Sequence, residues 1–146
     1  MAKIEESVMI DCPVEDVWDL ITDISKLKMW DTSINEAKLT SSGPLGVGAT
    51  CEVKAKMRNM TISMRVIEYE PNRKFILEHT SGPAKGSIIT FSVETIEGKT
   101  RFTNTSDLKF SGFYKLLAFS LVPRMKKDTV DSLGNVKRIL ESQVQS

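Results

Sequence analysis

Between Ser33 and Lys109 the chain runs through six candidate strands, and nothing between them is long enough to hold a helix. The segments are Ile34–Thr40, Ala49–Met57, Thr61–Glu70, Lys74–Thr80, Ser87–Ile96 and Thr100–Lys109. Turn-forming residues separate them: Ser42-Gly43-Pro44, Arg58-Asn59, Glu70-Pro71-Asn72, Gly82-Pro83 to Gly86, and Glu97-Gly98. Parallel neighbours need a crossover of a dozen residues or more, so connections this short confine the chain to antiparallel hairpins. Alternation is clearest in Ala49–Met57. There Cys51, Val53, Ala55 and Met57 face one way and Glu52, Lys54 and Lys56 the other, as in a sheet with one face in water.

The flanks read differently. Lys3–Ile10 places Ile4, Val8 and Ile10 on one face, a further strand. In the next stretch, "DCPVEDVWDLITDI", Pro13 suits a first helical position, with Asp11 or Cys12 as the cap. Val14, Val17, Trp18 and Ile21 follow at helical spacing. "DISKLKMW" predicts a second short helix or turn ending near Trp30. From Val122 the series Val122, Met125, Thr129, Leu133, Val136 and Leu140 steps by three and four, one stripe along a final helix. Pro123 sits in the first turn of that helix or kinks a longer one. Helices bracketing an antiparallel sheet define an α+β class.

A chain of 146 residues suits one domain, residues 1–146, able to fold without a disulfide or metal. Lys and Arg number 20 against 19 acidic residues, which gives no bulk attraction to nucleic acid or to anionic membrane. Cys12 and Cys51 make no disulfide framework, and no secretory signal is visible. The greasiest stretch, "GFYKLLAFSLVP", contains Lys115 and is too short for a span, which needs about 20 apolar residues. The expectation is a soluble, reduced, cytoplasmic monomer without stable membrane insertion.

The order of elements, together with "IDCPVEDVWDLITDISKLKMW", "RVIEYEPNRKF", "EGKTRFT" and the ending "LGNVKRILE", resembles the START-like or SRPBCC superfamily. The similarity is strongest to its polyketide cyclase/dehydratase-like branch and runs over nearly the whole chain. It implies a helix-grip fold: a curved seven-stranded antiparallel sheet around a long C-terminal helix, with two short helices between the first two strands. It also implies a cavity between sheet and helix that binds a small, mostly hydrophobic ligand. A dry void costs about 24 cal/mol per Å³, so a ligand-sized cavity of roughly 300 Å³ would cost about 7 kcal/mol, comparable with the stability of a whole domain. Such a cavity is expected to be wet, occupied, or partly collapsed by mobile side chains. Seven methionines suit a lining that re-packs.

The expected apolar lining is Trp30, Met57, Met64, Leu77, Phe91, Phe102, Phe113, Leu117, Leu121 and Met125, with Phe113–Leu121 as wall or lid. Polar orientation is assigned to His79, Asn104 and Thr129. The single histidine and two cysteines lack metal-ligand spacing, so neither metal nor cofactor is expected. "GPLGVGAT" lacks the Lys-Ser/Thr of a phosphate loop and opens no helix; it reads as a loop between strands. Arg124, Lys126 and Lys127, balanced by Asp128 and Asp131, read as a solvated helix face. No catalytic pair is evident. The favoured function is ligand binding. The alternatives are a cyclase or dehydratase using the same cavity, which would need a carboxylate within reach of His79, and a chaperone- or ribosome-associated interaction module.

Overall fold

A computed structural model describes residues 2–144. Seven strands form one antiparallel sheet: β1 (Ala2–Ile10), β2 (Ile34–Leu39), β3 (Thr50–Ala55), β4 (Thr61–Glu70), β5 (Lys74–His79), β6 (Ile88–Ile96) and β7 (Lys99–Leu108), in the order β1-β7-β6-β5-β4-β3-β2. Strands β2 to β7 meander, as their short connections require, and β1 closes the far edge against β7, with Ala2 opposite Leu108 and Ile10 opposite Thr100. The two edge strands are therefore consecutive in sequence. The connector between them, α1 (Val14–Ile21), a 3-10 turn and α2 (Leu27–Trp30), bridges the open side of the curled sheet. A hydrophobic stripe of Val17, Trp18, Leu20 and Ile21 buries α1. Pro13 is its cap residue and not, as expected, its first helical residue; the α1 cap makes no side-chain hydrogen bond.

Curvature has a visible cause. The register of β4 against β5 shifts between Val66 and Glu68. The extra residue, Ile67, turns outward, and Tyr69 returns to the inner face, where its ring meets the edge of Trp18. A bulge of this kind bends a strand and increases its twist. On the inner face Phe75, Phe91 and Phe102 stack across β5, β6 and β7, with centroids 5.0 and 6.1 Å apart. Trp30 sets its edge against both Phe91 and Phe102.

The C-terminal helices are α3 (Phe113–Leu116) and α4 (Ala118–Val144). The latter begins four residues before the expected Val122, so Pro123 lies inside it. Proline has no N–H to donate, which deprives the Phe119 carbonyl of its helical partner. Leu133, Val136 and Leu140 are buried in the core, and α4 packs mainly along β1.

Candidate functional site

Between the inner face of the sheet, α2 and the middle of α4 lies a cavity of about 170 Å³. Its apolar wall includes Trp30, Met64, Phe75, Leu77, Phe91 and Met125. Strand periodicity puts Leu77 and His79 on the same face of β5, and Asn104, Ser106 and Leu108 on the same face of β7. All five border the cavity.

A polar corner forms where the loop after α2 meets α4. The Thr32 amide donates to Ser132 Oγ at 3.0 Å, and Asn135 Nδ2 donates to the Trp30 carbonyl at 3.1 Å. The Thr32 hydroxyl reaches Asp128 Oδ1 at 3.3 Å. These contacts latch the loop to the helix. Asp31 and Asp128 both border the cavity beside the latch. Asp31 Oδ1 accepts from the Ser33 amide at 2.9 Å and from the Ser33 hydroxyl at 2.6 Å. Burial pushes the Asp31 carboxyl above the usual carboxylate range; the Ser33 hydrogen bonds oppose that rise, while the nearby Asp128 charge adds to it.

Two polar atoms stand out by what they lack. The Trp30 indole N–H and His79 Nδ1 are buried and, among the described residues, have no hydrogen-bond partner. Trp30 is only 2% exposed. Buried polar groups in folded proteins are almost always paired, so each of these atoms calls for a partner, a water or a bound group. Burial also lowers the pKa of His79, which favours the neutral imidazole. No described side chain hydrogen-bonds His79 Nδ1. Both thiols are buried, and burial pushes Cys12 and Cys51 to about 11, too high for ready nucleophilic use. Among the described residues no group of three or more histidine, cysteine or acidic side chains could hold a metal ion.

Of the residues expected at the site, Trp30, Met64, Leu77, His79, Phe91, Asn104, Met125 and Thr129 border the cavity. Thr129 already donates its hydroxyl to the Met125 carbonyl one turn back, at 2.9 Å. Five others lie elsewhere. Met57 falls beyond β3, in a 3-10 turn where Arg58 and Asn59 take positive φ, so the strand alternation that would have aimed it inward has ended. Phe102 is fully buried beneath Phe91 and Trp30, in the core under the cavity and not on its wall. Phe113, in α3, is exposed, and Leu117, between the two helices, and Leu121, in α4, are half-buried without bordering the cavity, which α4 first meets one turn later at Met125. The expected wall or lid at Phe113–Leu121 is thus replaced by Met125, Asp128, Thr129 and Ser132, farther along α4. Asp31, Ser33 and Ser132 are added by the structure, and Asp128, expected on a solvated helix face, instead borders the cavity. Ser132 could have been found from its place beside Thr129 in the helical stripe, whereas Asp31 lies in a loop where no periodicity operates.

A curled sheet gripping a long helix over an apolar cavity with a polar corner defines a helix-grip, ligand-binding class of fold. Within that class, the chain belongs to the family described as "Polyketide cyclase / dehydrase and lipid transport", whose model matches residues 1–141. Solved structures share the fold. The aromatase/cyclase Zhui of a Streptomyces species is similar with a TM-score of 0.84 at 14% identity, over 98% of this chain and 95% of that one. A protein from Thermus thermophilus gives 0.77 at 16% identity, over 97% and 99% of the two chains. The Aha1 dimer from Colwellia psychrerythraea gives 0.68 at 21% identity, over 94% of each. No curated protein matches the sequence.

Proposed function

We propose that this chain binds a small, mostly apolar molecule carrying a hydrogen-bond acceptor, held between the sheet and α4 with its acceptor at the Trp30 indole N–H. The observation that carries this reading is the orphaned, buried N–H of Trp30, a residue that lines a mostly apolar cavity with a polar corner. Family membership supports the ligand class. At about 170 Å³ the cavity is smaller than the roughly 300 Å³ at which ligand pockets begin, so binding requires expansion. Met64 and Met125, unbranched and on facing walls, are the side chains best able to yield.

Native mass spectrometry of protein purified from its own host, followed by extraction, tests the proposal. A bound apolar molecule is expected, and Trp30→Phe, which keeps the ring and loses the donor, weakens its binding about tenfold. Protein that carries nothing and takes up no apolar molecule overturns it. The enzymatic alternative draws on one observation, the elevated Asp31 carboxyl at the cavity, which favours a protonated acid. Recovery of the molecule unchanged after incubation favours carriage, and recovery of a dehydrated or cyclised product favours catalysis. The same proposal takes the chain as a single-domain monomer of the cytoplasm, where two buried free thiols are stable.

A further inference from the structure

From Leu108 to Lys127 the sequence contains no acidic residue and five basic ones, Lys109, Lys115, Arg124, Lys126 and Lys127, in a protein whose net charge is only +1. The same stretch exposes Phe113 at 58%, Leu116 at 73% and Phe119 at 82%. Phe113 and Leu116 belong to α3 and Phe119 to the first turn of α4, on either side of the break at Leu117. The turn after β3 adds a further cation, Arg58, whose guanidinium lies 5.8 Å from the Tyr114 ring centroid. Some of the charge is spent locally: Lys126 pairs with Glu6 and Lys127 with Asp131. Arg58, Lys109, Lys115 and Arg124 have no carboxylate at ion-pair distance among the described residues. Lys115 lies between Phe113 and Phe119 in the chain and Arg58 stands by Tyr114, whose ring meets Phe113, whereas the Lys109 side chain lies against Gly86.

We infer that this patch is a docking surface for an anionic lipid bilayer. Large exposed side chains accompanied by unpaired cations match the two layers of such a surface: acyl chains take Phe113, Leu116 and Phe119, and phosphate headgroups take Lys115, Arg124 and Arg58. Among the described residues no helix is long and apolar enough to cross a membrane, so the contact is reversible adsorption at the interface. An acidic protein groove would satisfy the cations, but three large exposed apolar side chains in a stretch without an acidic residue also call for an apolar layer, which a bilayer supplies beneath its phosphates. The patch also lies on the helix that carries Met125, Asp128 and Thr129, so docking would bring the membrane to the end of α4 nearest the cavity. This inference rests on the surface and not on the ligand proposal, and an empty cavity would leave it standing.

Co-sedimentation with vesicles tests it. The full chain is expected to bind vesicles of phosphatidylcholine mixed with phosphatidylglycerol, and to bind pure phosphatidylcholine at least tenfold less. Added salt should weaken binding. Each cation removed, by Lys115→Gln or Arg124→Gln, should reduce partitioning about fivefold. Leu116→Ser with Phe119→Ser should reduce it tenfold or more while leaving the melting temperature unchanged, since both side chains are exposed. Val47→Ser, at an exposed apolar position in the β2–β3 loop at the other end of the sheet, should have no effect. Binding that is absent, or indifferent to the patch variants, overturns the inference. So does a concentration-dependent dimer that Leu116→Ser with Phe119→Ser abolishes while vesicles are ignored, since the patch would then be covered by a second copy of the chain.

Discussion

The two ends of α4 are built from one continuous helix and obey opposite rules. Toward the C-terminus Leu133, Val136 and Leu140 are buried against the sheet, while Lys137 reaches the Met9 carbonyl and Glu141. Toward the N-terminus Phe119 stands in solvent and Met125, Asp128 and Thr129 look into a cavity. The contrast shows that apolarity alone did not place these side chains. The C-terminal half has a sheet to cover. In the N-terminal half the apolar residues divide, Met125 bordering the cavity and Phe119 standing in water.

Breaking the buried end should have the largest effect. Leu133→Ala removes a core side chain and is expected to cost about 2–5 kcal/mol in chemical denaturation. A loss below about 1 kcal/mol would mean that this end of α4 is not gripped. The latch comes next. Ser132→Ala leaves the Thr32 amide without its acceptor and should cost about 1–2 kcal/mol, and hydrogen exchange at Thr32 should quicken.

The cavity's titratable groups should give smaller effects of opposite sign. The folded-state pKa of Asp31 is raised, so the folded protein holds its proton more tightly than the unfolded chain does. That contribution opposes folding above the raised pKa, and it is relieved as pH falls toward the ordinary carboxylate value of 3.8. Asp31→Asn, which can still accept from Ser33, should therefore raise the melting temperature at neutral pH and flatten this part of the profile. For His79 the folded pKa is lowered, so the unfolded chain binds the proton first as pH falls through 6.5. Stability should drop below that pH, and His79→Gln should remove the drop in urea titrations run on either side of it. Smallest of all, Phe119→Ala should shift stability by no more than about 0.5 kcal/mol, because its side chain is already in water.

Much of the sheet was legible. Alternation in Thr61–Glu70 and turn residues at Pro71-Asn72 or Glu97-Gly98 are local signals, and the strands begin and end within a residue or two of them. The exception is Met57, two residues past the end of β3, because alternation cannot say where a strand stops. The stripe Leu133, Val136, Leu140 was equally clear. Phe113–Leu121 misled for the same reason that it stood out: a greasy run was read as buried, and burial depends on what lies opposite. The corner of Asp31, Ser33, Asp128 and Ser132 joins residues about a hundred positions apart and left no periodic mark in the chain.

By itself, then, the sequence determined which segments become strand or helix and which side of each avoids water, since both follow from interactions between residues two to four apart. Tertiary structure alone decided that the Asp31 carboxyl joins the expected indole and imidazole at one cavity, and that three large apolar side chains remain outside it. Those outcomes depend on the lengths and curvature of distant elements once packed, which no local pattern encodes.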